Sequence, residues 1–252
     1  MKYIWCAPKG AGRKLGRLAG IRRVKAPAIF NHTTERDALV INWGNRFPSA
    51  GYAAEANCQF LNHPRHIKHA SNKLKCFELL SAQRCSTVDW TTDQEVAQGW
   101  MNSGKTVYGR KVVDGTQGKG IIVMRPGDPI EPCPLYTKRF TGKYEYRAHV
   151  MNRRVVLLQQ KRKRNGVEAD GTIKNRRAGY VYAVNDIIPI PNSRAVYDDL
   201  CRAVHVTGLD FAAIDFIYAP STGAHKILEL NTRPGYSSPT VVEAYTTYFR
   251  EI

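Results

Sequence analysis

Asp215, Glu229 and Asn231 are the side chains whose types and spacing best suit chemistry. Asp215 lies inside the apolar run 209–217, and Glu229 and Asn231 close a second run that begins at Lys226. The link at 219–224 is rich in turn formers, so the two runs read as a β-hairpin. Glu229 and Asn231 are two apart and therefore share one face of their strand. A carboxylate inside an apolar strand is costly unless a cation or a hydrogen-bond donor meets it. Oxygen donors converging from paired strands suit a hard cation such as Mg²⁺. Held by a few side chains, Mg²⁺ shares its shell with substrate phosphates, so the hairpin points to a nucleotide-using enzyme.

A second feature fits that reading. Residues 107–124 run strand, glycine-rich turn, strand, with Gly115, Gly118 and Gly120 in the turn. Successive backbone N–H groups in such a turn can wrap a phosphate, and glycine permits the close approach. Any tight hairpin also favours glycine, so the turn gains weight only from the hairpin downstream.

Asp-Phe-Ile at 215–217 followed by Glu-Leu-Asn-Thr-Arg-Pro-Gly at 229–235 resembles the metal-binding end of the ATP-grasp superfamily. The branch it is similar to comprises carboxylate–amine ligases that modify ribosomal proteins or join amino acids. The resemblance covers about residues 60–245 and implies an α+β ATP-grasp fold using ATP and Mg²⁺, with Asp215, Glu229 and Asn231 as metal ligands. It assigns Lys111 to the α- and β-phosphates, Gly115, Thr116, Gly118 and Gly120 to the loop over them, and Lys73 to a further phosphate contact. Residues 135–147 resemble the adenine hinge: Lys138 and Phe140 match the hinge and Glu145 the ribose carboxylate. Thr137 departs from the acid common at its position. Lys161 resembles a phosphate lysine, and Asn175 an asparagine of the phosphate or metal shell.

Two arginines are candidates for catalysis. Arg147 faces the same way as Glu145, available either to a transferring phosphate or to a cross-strand ion pair. Arg233 follows Asn231 in a turn that in related ligases faces the carboxylate substrate, and a guanidinium pairs bidentately with a carboxylate. Related D-alanine ligases carry an arginine two residues before the metal aspartate, where this chain has Ala213. The implied reaction is ATP-dependent ligation: an acid attacks the γ-phosphate, an acyl phosphate forms, and an amine displaces phosphate. The partners would be a carboxylate substrate and an amine acceptor such as an amino acid or peptide. His149 and His205 read as structural. Two other readings remain, a kinase of a small acid or alcohol and a basic nucleic-acid-binding protein.

The elements that must position these residues follow from pattern. The chain has 252 residues, 43% hydrophobic, enough for one enzyme of two or three subdomains. We expect an N-terminal α/β (pre-grasp) domain at 1–65, a lid at 66–135 and a C-terminal subdomain carrying the metal site at 136–252. Strands are predicted at 3–6, 38–44, 107–113, 121–124 and 135–140, with a hairpin at 144–151 and 154–161 around Asn152 and Arg153. A turn is expected at 62–64, then a helix opened by Ser71 with Leu74, Phe77 and Leu80 on one face. Further helices are predicted at 94–101, capped by Thr92 or Asp93, and at 193–206 and 239–249. Residues 9–23 read as a basic loop or poor helix whose glycines could cradle an anion, although their spacing matches no P-loop. Residues 162–177 read as a basic polar insert.

Composition bounds partners and compartment. The net charge of +17 attracts polyanions, whether an acidic substrate, nucleic acid or another polyanion. No apolar run is long enough to span a membrane, and no CxxC pair is present among six cysteines. Reduced thiols in a cytoplasm are expected. The small size is similar to that of compact ATP-grasp proteins of bacteriophage genomes.

Overall fold

The computed structural model describes residues 1–6, 11–24, 38–46, 58–114, 120–168, 171, 174, 178–235 and 238–252. Three sheets organise them. The first holds β1 (Lys2–Trp5), β2 (Arg22–Val24), β3 (Ala38–Asn42) and β4 (Cys58–Leu61) in the order β2-β1-β3-β4, all parallel. Helix α1 (Ala11–Ala19) crosses from β1 to β2. Its glycines serve packing. A Cβ on Gly12 would lie 2.5 Å from the Cβ of Cys6, and one on Gly16 would lie 2.6 Å from Ile4 Cγ2 and 3.0 Å from the Ile21 carbonyl oxygen. Of the two expectations for this stretch, a basic loop or a poor helix, the helix is observed at 11–19, and its bare glycine backbone lets it sit close on β1.

The central sheet runs β11 (Tyr180–Ala183), β10 (Arg154–Lys163), β9 (Tyr144–Met151), β12 (Phe211–Ala219) and β13 (Ala224–Asn231), all antiparallel. Strand alternation gives it two unlike faces. Tyr146, Ala148, Val150, Ala212, Ile214, Phe216 and Leu230 are buried on one. Over them pack α2 (Pro64–Ser71), α3 (Lys73–Ala82) and α5 (Ser193–Val206), through Ile67, Ala70, Cys76, Leu80, Val196, Leu200 and Ala203. Each such aliphatic side chain contributes about 1.5–3 kcal/mol by leaving water. The opposite face carries the polar residues of the candidate site.

The third sheet holds β5 (Trp90–Thr91), β8 (Leu135–Lys138), β6 (Val107–Arg110) and β7 (Ile121–Met124) in that order, antiparallel. Helix α4 (Gln94–Asn102) covers one side through Ala97 and Met101, and Asp93 caps it by accepting from Glu95 and Val96 N–H groups. Residues 66–85 were expected in this lid. Instead Ile67, Ala70, Cys76, Leu80 and Cys85 belong to the central core. The helix expected to open at Ser71 is also corrected. Ser71 ends α2 and its hydroxyl donates to Ile67 O at 2.6 Å, while Asn72 caps α3 by accepting from Lys75 N at 3.0 Å.

Two devices join the N-terminal sheet to the central one. Asn62, at φ +60°, accepts from Asp210 N at 2.8 Å and donates to Phe211 O at 2.8 Å. Trp43 stacks on Phe211 at 5.6 Å and meets Tyr245 edge-on at 5.1 Å, bringing in α6 (Pro239–Glu251). No helix among the described residues is long and apolar enough to cross a membrane, and all six cysteines are free.

His149 is fully buried, with Nε2 at 2.9 Å from Gln159 Oε1 and Nδ1 at 3.2 Å from the Tyr245 hydroxyl. Burial pushes its pKa down to about 4, against the pull of Gln159. The folded state therefore refuses a proton that the unfolded chain accepts near pH 6.5. Stability is fully present above that pH and falls as pH drops, by about 3 kcal/mol on reaching pH 4. Thermal melts between pH 7 and 4 should show this loss, and His149→Gln should flatten it.

Candidate active site

Arg147, Asp215 and Glu229 stand abreast on adjacent strands, since Asp215 is in register with Arg147 on β9 and with Glu229 on β13. Glu145 lies two before Arg147, and Lys161 and Tyr182 are paired in register on β10 and β11. All project from the polar face of the central sheet.

Asp215 and Arg147 form the centre. Arg147 Nε donates to Asp215 Oδ1 at 2.6 Å and Nη2 to Oδ2 at 2.8 Å. The Tyr182 hydroxyl donates to Oδ2 at 2.9 Å, and Lys161 Nζ stands 3.9 Å from that oxygen. Side-chain exposure is 5% for Asp215 and 12% for Arg147. Burial alone would raise the aspartate, but Arg147, Lys161 and Tyr182 outweigh it and hold the carboxyl below its usual range. Burial opposes the Arg147 charge, and Asp215 overcomes it, so the arginine is raised. Burial, reinforced by Asp215, raises the Tyr182 hydroxyl and keeps it a donor. The guanidinium also lies 4.1 Å from the Tyr182 ring centre. The cross-strand ion pair, one of the two readings of Arg147, is formed.

Glu145 is buried and ion-paired with Lys161, and Lys174 Nζ is 3.9 Å from its other oxygen. Burial raises its pKa despite Lys161. Its carboxylate thus belongs to the buried charge network. Glu229 is more open, at 33% side-chain exposure; Lys73 Nζ lies 3.6 Å away and Asn231 Nδ2 donates to it at 3.5 Å. Among the described residues no three His, Cys, Asp or Glu side chains cluster as a metal site. Asp215, Glu229 and Asn231 together could offer a cation two carboxylates and an amide oxygen, the hard oxygen donors that suit Mg²⁺. Glu229 and Asn231 are the accessible members of this set.

The lid contributes a residue that the sequence reading passed over. Arg110 has a buried Nε with no hydrogen-bond partner. Burial lowers its pKa, and the nearby charge of Glu229 opposes that shift. Lys111, expected at this place, instead pairs with Glu131 at 2.9 Å on the lid and is 44% exposed. Strand alternation could have found Arg110: Val107 and Gly109 face the lid core, so Tyr108 and Arg110 face the other way. Lys138 pairs with Asp89 and lies 5.5 Å from the Trp100 ring centre. Phe140 joins Leu74, Trp90, Val113 and Leu228 in an apolar cluster around Phe77. Gly120, at φ +75°, accepts from Lys111 N at 2.8 Å and closes the base of the glycine-rich turn. Arg233 packs its stem on Gly44 beyond the first sheet. Gly115, Thr116, Gly118 and Asn175 lie outside the described residues.

No protein-family model matches the chain, and no curated protein is detectably similar in sequence. Solved structures are similar in fold. The ATP-grasp ligase PsnB, complexed with a minimal precursor, has a TM-score of 0.66 at 14% identity, covering 98% of this chain and 98% of that one. The D-alanine–D-alanine ligase of Bacillus anthracis complexed with ATP gives 0.64 at 12% identity, over 99% of this chain and 93% of that chain. The macrocyclase MdnC of Microcystis aeruginosa MRC, bound with precursor peptide MdnA, gives 0.59 at 11% identity over 99% of both. The fold is the ATP-grasp fold, as the hairpin motif implied.

Because Asp215 and Arg147 are both buried, removing one strands the other. Arg147→Met should cost about 3–5 kcal/mol in urea unfolding. The double variant Arg147→Met/Asp215→Leu should recover much of that loss, a coupling that two independent sites would not show.

Proposed function

We propose that the protein is an ATP-dependent carboxylate–amine ligase that binds ATP between the lid and the central sheet. The observation that carries this reading is the row Arg147–Asp215–Glu229, flanked by Lys73, Lys161, Lys174 and Arg110, on a sheet whose fold is that of ATP-grasp ligases. Glu229, Asn231 and Asp215 would hold Mg²⁺, which when bound neutralises charge on the transferring phosphate. Phosphoryl transfer depends on positioning and electrostatic stabilisation, which these residues are built to supply.

Each group then has a task. Lys73 and Arg110 bracket Glu229 and attract the triphosphate. Phe140 and Leu228 offer an apolar surface to the base, beside the Lys138 hinge. Arg147, held bidentately by Asp215, presents a fixed cation beside the transferring group, so orientation costs little when charge develops. Arg233 receives the acid. The acid carboxylate attacks the γ-phosphate, ADP leaves, and the resulting acyl phosphate is opened by an amine with release of phosphate. Structural neighbours are complexed with peptide precursors or with ATP, which supports a peptide or amino-acid partner.

Mg²⁺-dependent binding of a non-hydrolysable ATP analogue is the direct test. Calorimetry should show affinity that vanishes with EDTA and with Glu229→Gln. Arg110→Ala should weaken it about tenfold or more, while Lys111→Ala changes it less than about threefold. Amine-dependent ADP release would separate ligation from kinase chemistry. Equal effects of the two lid substitutions would overturn the assignment of Arg110.

A further inference from the structure

Three arginines from separate elements lie near the end of β1: Arg23 on the Cys6 carbonyl, Arg233 across Gly44, and Arg13 in the helical turn whose Gly12 packs on Cys6. Arg13 is in the first turn of α1, Arg23 is on β2, and Arg233 follows β13. Arg23 donates through Nε and Nη2 to the carbonyl oxygen of Cys6, both at 3.3 Å. A Cβ on Gly44 would lie 2.5 Å from Arg233 Cβ and 3.1 Å from its Cγ and Cδ, so the arginine stem lies across that glycine. Cys6 and Gly44 follow β1 and β3, the adjacent parallel strands between which the chain order reverses. In open parallel sheets ligands bind at that crevice, outside the carboxyl ends of the strands.

Among the described residues no acid pairs with these charges, whereas the neighbouring Arg46 pairs with Asp114 at 3.4 Å. All three act on one group: burial raises the Cys6 thiol, and Arg23, Arg233 and Arg13 pull it back. The first turn of α1 adds the positive end of a helix, with Gly12 against Cys6. The cluster also adjoins the proposed reaction centre. Arg233 is two residues past Asn231, at most about 7 Å of chain.

We infer that the crevice formed by Arg13, Arg23 and Arg233 is an anion subsite that recognises a second carboxylate on the acid substrate, making that substrate a polycarboxylate. The inference rests on the proposed ligase reading for the position of the reacting carboxylate. A monocarboxylic acid received by Arg233 would leave the guanidiniums of Arg13 and Arg23 unmatched. An acid with a further carboxylate a few bonds away would satisfy both, as an acidic peptide segment or a small dicarboxylic acid does. Guanidinium is the cation suited to planar, bidentate carboxylate recognition.

The test uses the full chain with Mg²⁺ and a non-hydrolysable ATP analogue, and fluorescein-labelled hexaglutamate as probe. Hexaglutamate should bind at least about tenfold more tightly than hexaglutamine. Arg13→Gln and Arg23→Gln should each weaken it about threefold to tenfold, with nucleotide affinity and melting temperature unchanged and Arg13→Lys intermediate. Glutarate competing where acetate does not supports a small dicarboxylate; competition confined to the hexapeptide supports an acidic segment. Equal binding of hexaglutamine, or arginine variants that bind hexaglutamate as the parent does, overturns the subsite. So does displacement by oligothymidylate at lower concentration than by hexaglutamate. Loss of nucleotide binding in the parent would instead overturn the ligase reading, and the arginine dependence of hexaglutamate binding would still be read.

Discussion

The ion pair between Arg147 and Asp215 is the constraint to which the rest of the central sheet answers. Neither charge reaches water freely, so each must be met by the other and by further donors. The register of β9 on β12 places them opposite each other, and a slip of one residue would turn Arg147 into the apolar core and Tyr146 to the polar face. The pair therefore fixes register as well as charge. Glu145 and Lys161 repeat the arrangement one row away, so the buried network holds two acids and two bases. The Tyr182 hydroxyl donates to Asp215, and Lys174 stands as a further cation 3.9 Å from Glu145 at the partly exposed edge.

That balance makes the imbalance beside it informative. Around Glu229 the count reverses, with Lys73 and Arg110 facing one half-exposed carboxylate. Burial opposes the charge of the lid arginine Arg110, and among the described residues its buried Nε lacks a hydrogen-bond partner, the kind of group that an anion would complete under the proposed function. The lid is held where this can happen by short backbone links. Lys73 N donates to Val113 O at 2.9 Å, tying α3 to the turn that follows β6. Arg46 reaches from the first sheet to Asp114 on the same segment. These contacts tie the first sheet and α3 to the segment that follows β6, next to Glu229 and Arg110.

Much of this was legible in the sequence, and the rest was not for identifiable reasons. The hairpins 144–151/154–161 and 211–219/224–231 and the helix 193–206 announced themselves because one face is apolar and the turns carry Asn-Arg or Thr-Gly. Strands β2, β4 and β11 were missed because they are short, and their place depends on a parallel neighbour or a sheet edge. Helix α1 stayed open between a loop and a poor helix because its glycines signal flexibility locally, while the packing that needs them comes from Ile4 and Cys6 outside the helix. Helix α2 was hidden by Asn62-His63-Pro64, which looks like a turn alone but supplies a proline to the first helical position.

Motif spacing and strand pleat point to different lid cations. Counting back from the glycine-rich turn selects Lys111, because a motif measures distance along the chain. Which side chain enters the cleft is decided by the pleat. Gly109 must face the lid core, since a Cβ there would meet Cys133 Sγ at 2.7 Å and Met124 Cε at 2.8 Å. Its neighbour Arg110 must then face the opposite side, toward Glu229. Lys111 leaves the strand and is taken by Glu131. A guanidinium in that place brings a planar fork where lysine would bring a point charge, and it keeps its charge in a cleft whose burial would readily neutralise an amine.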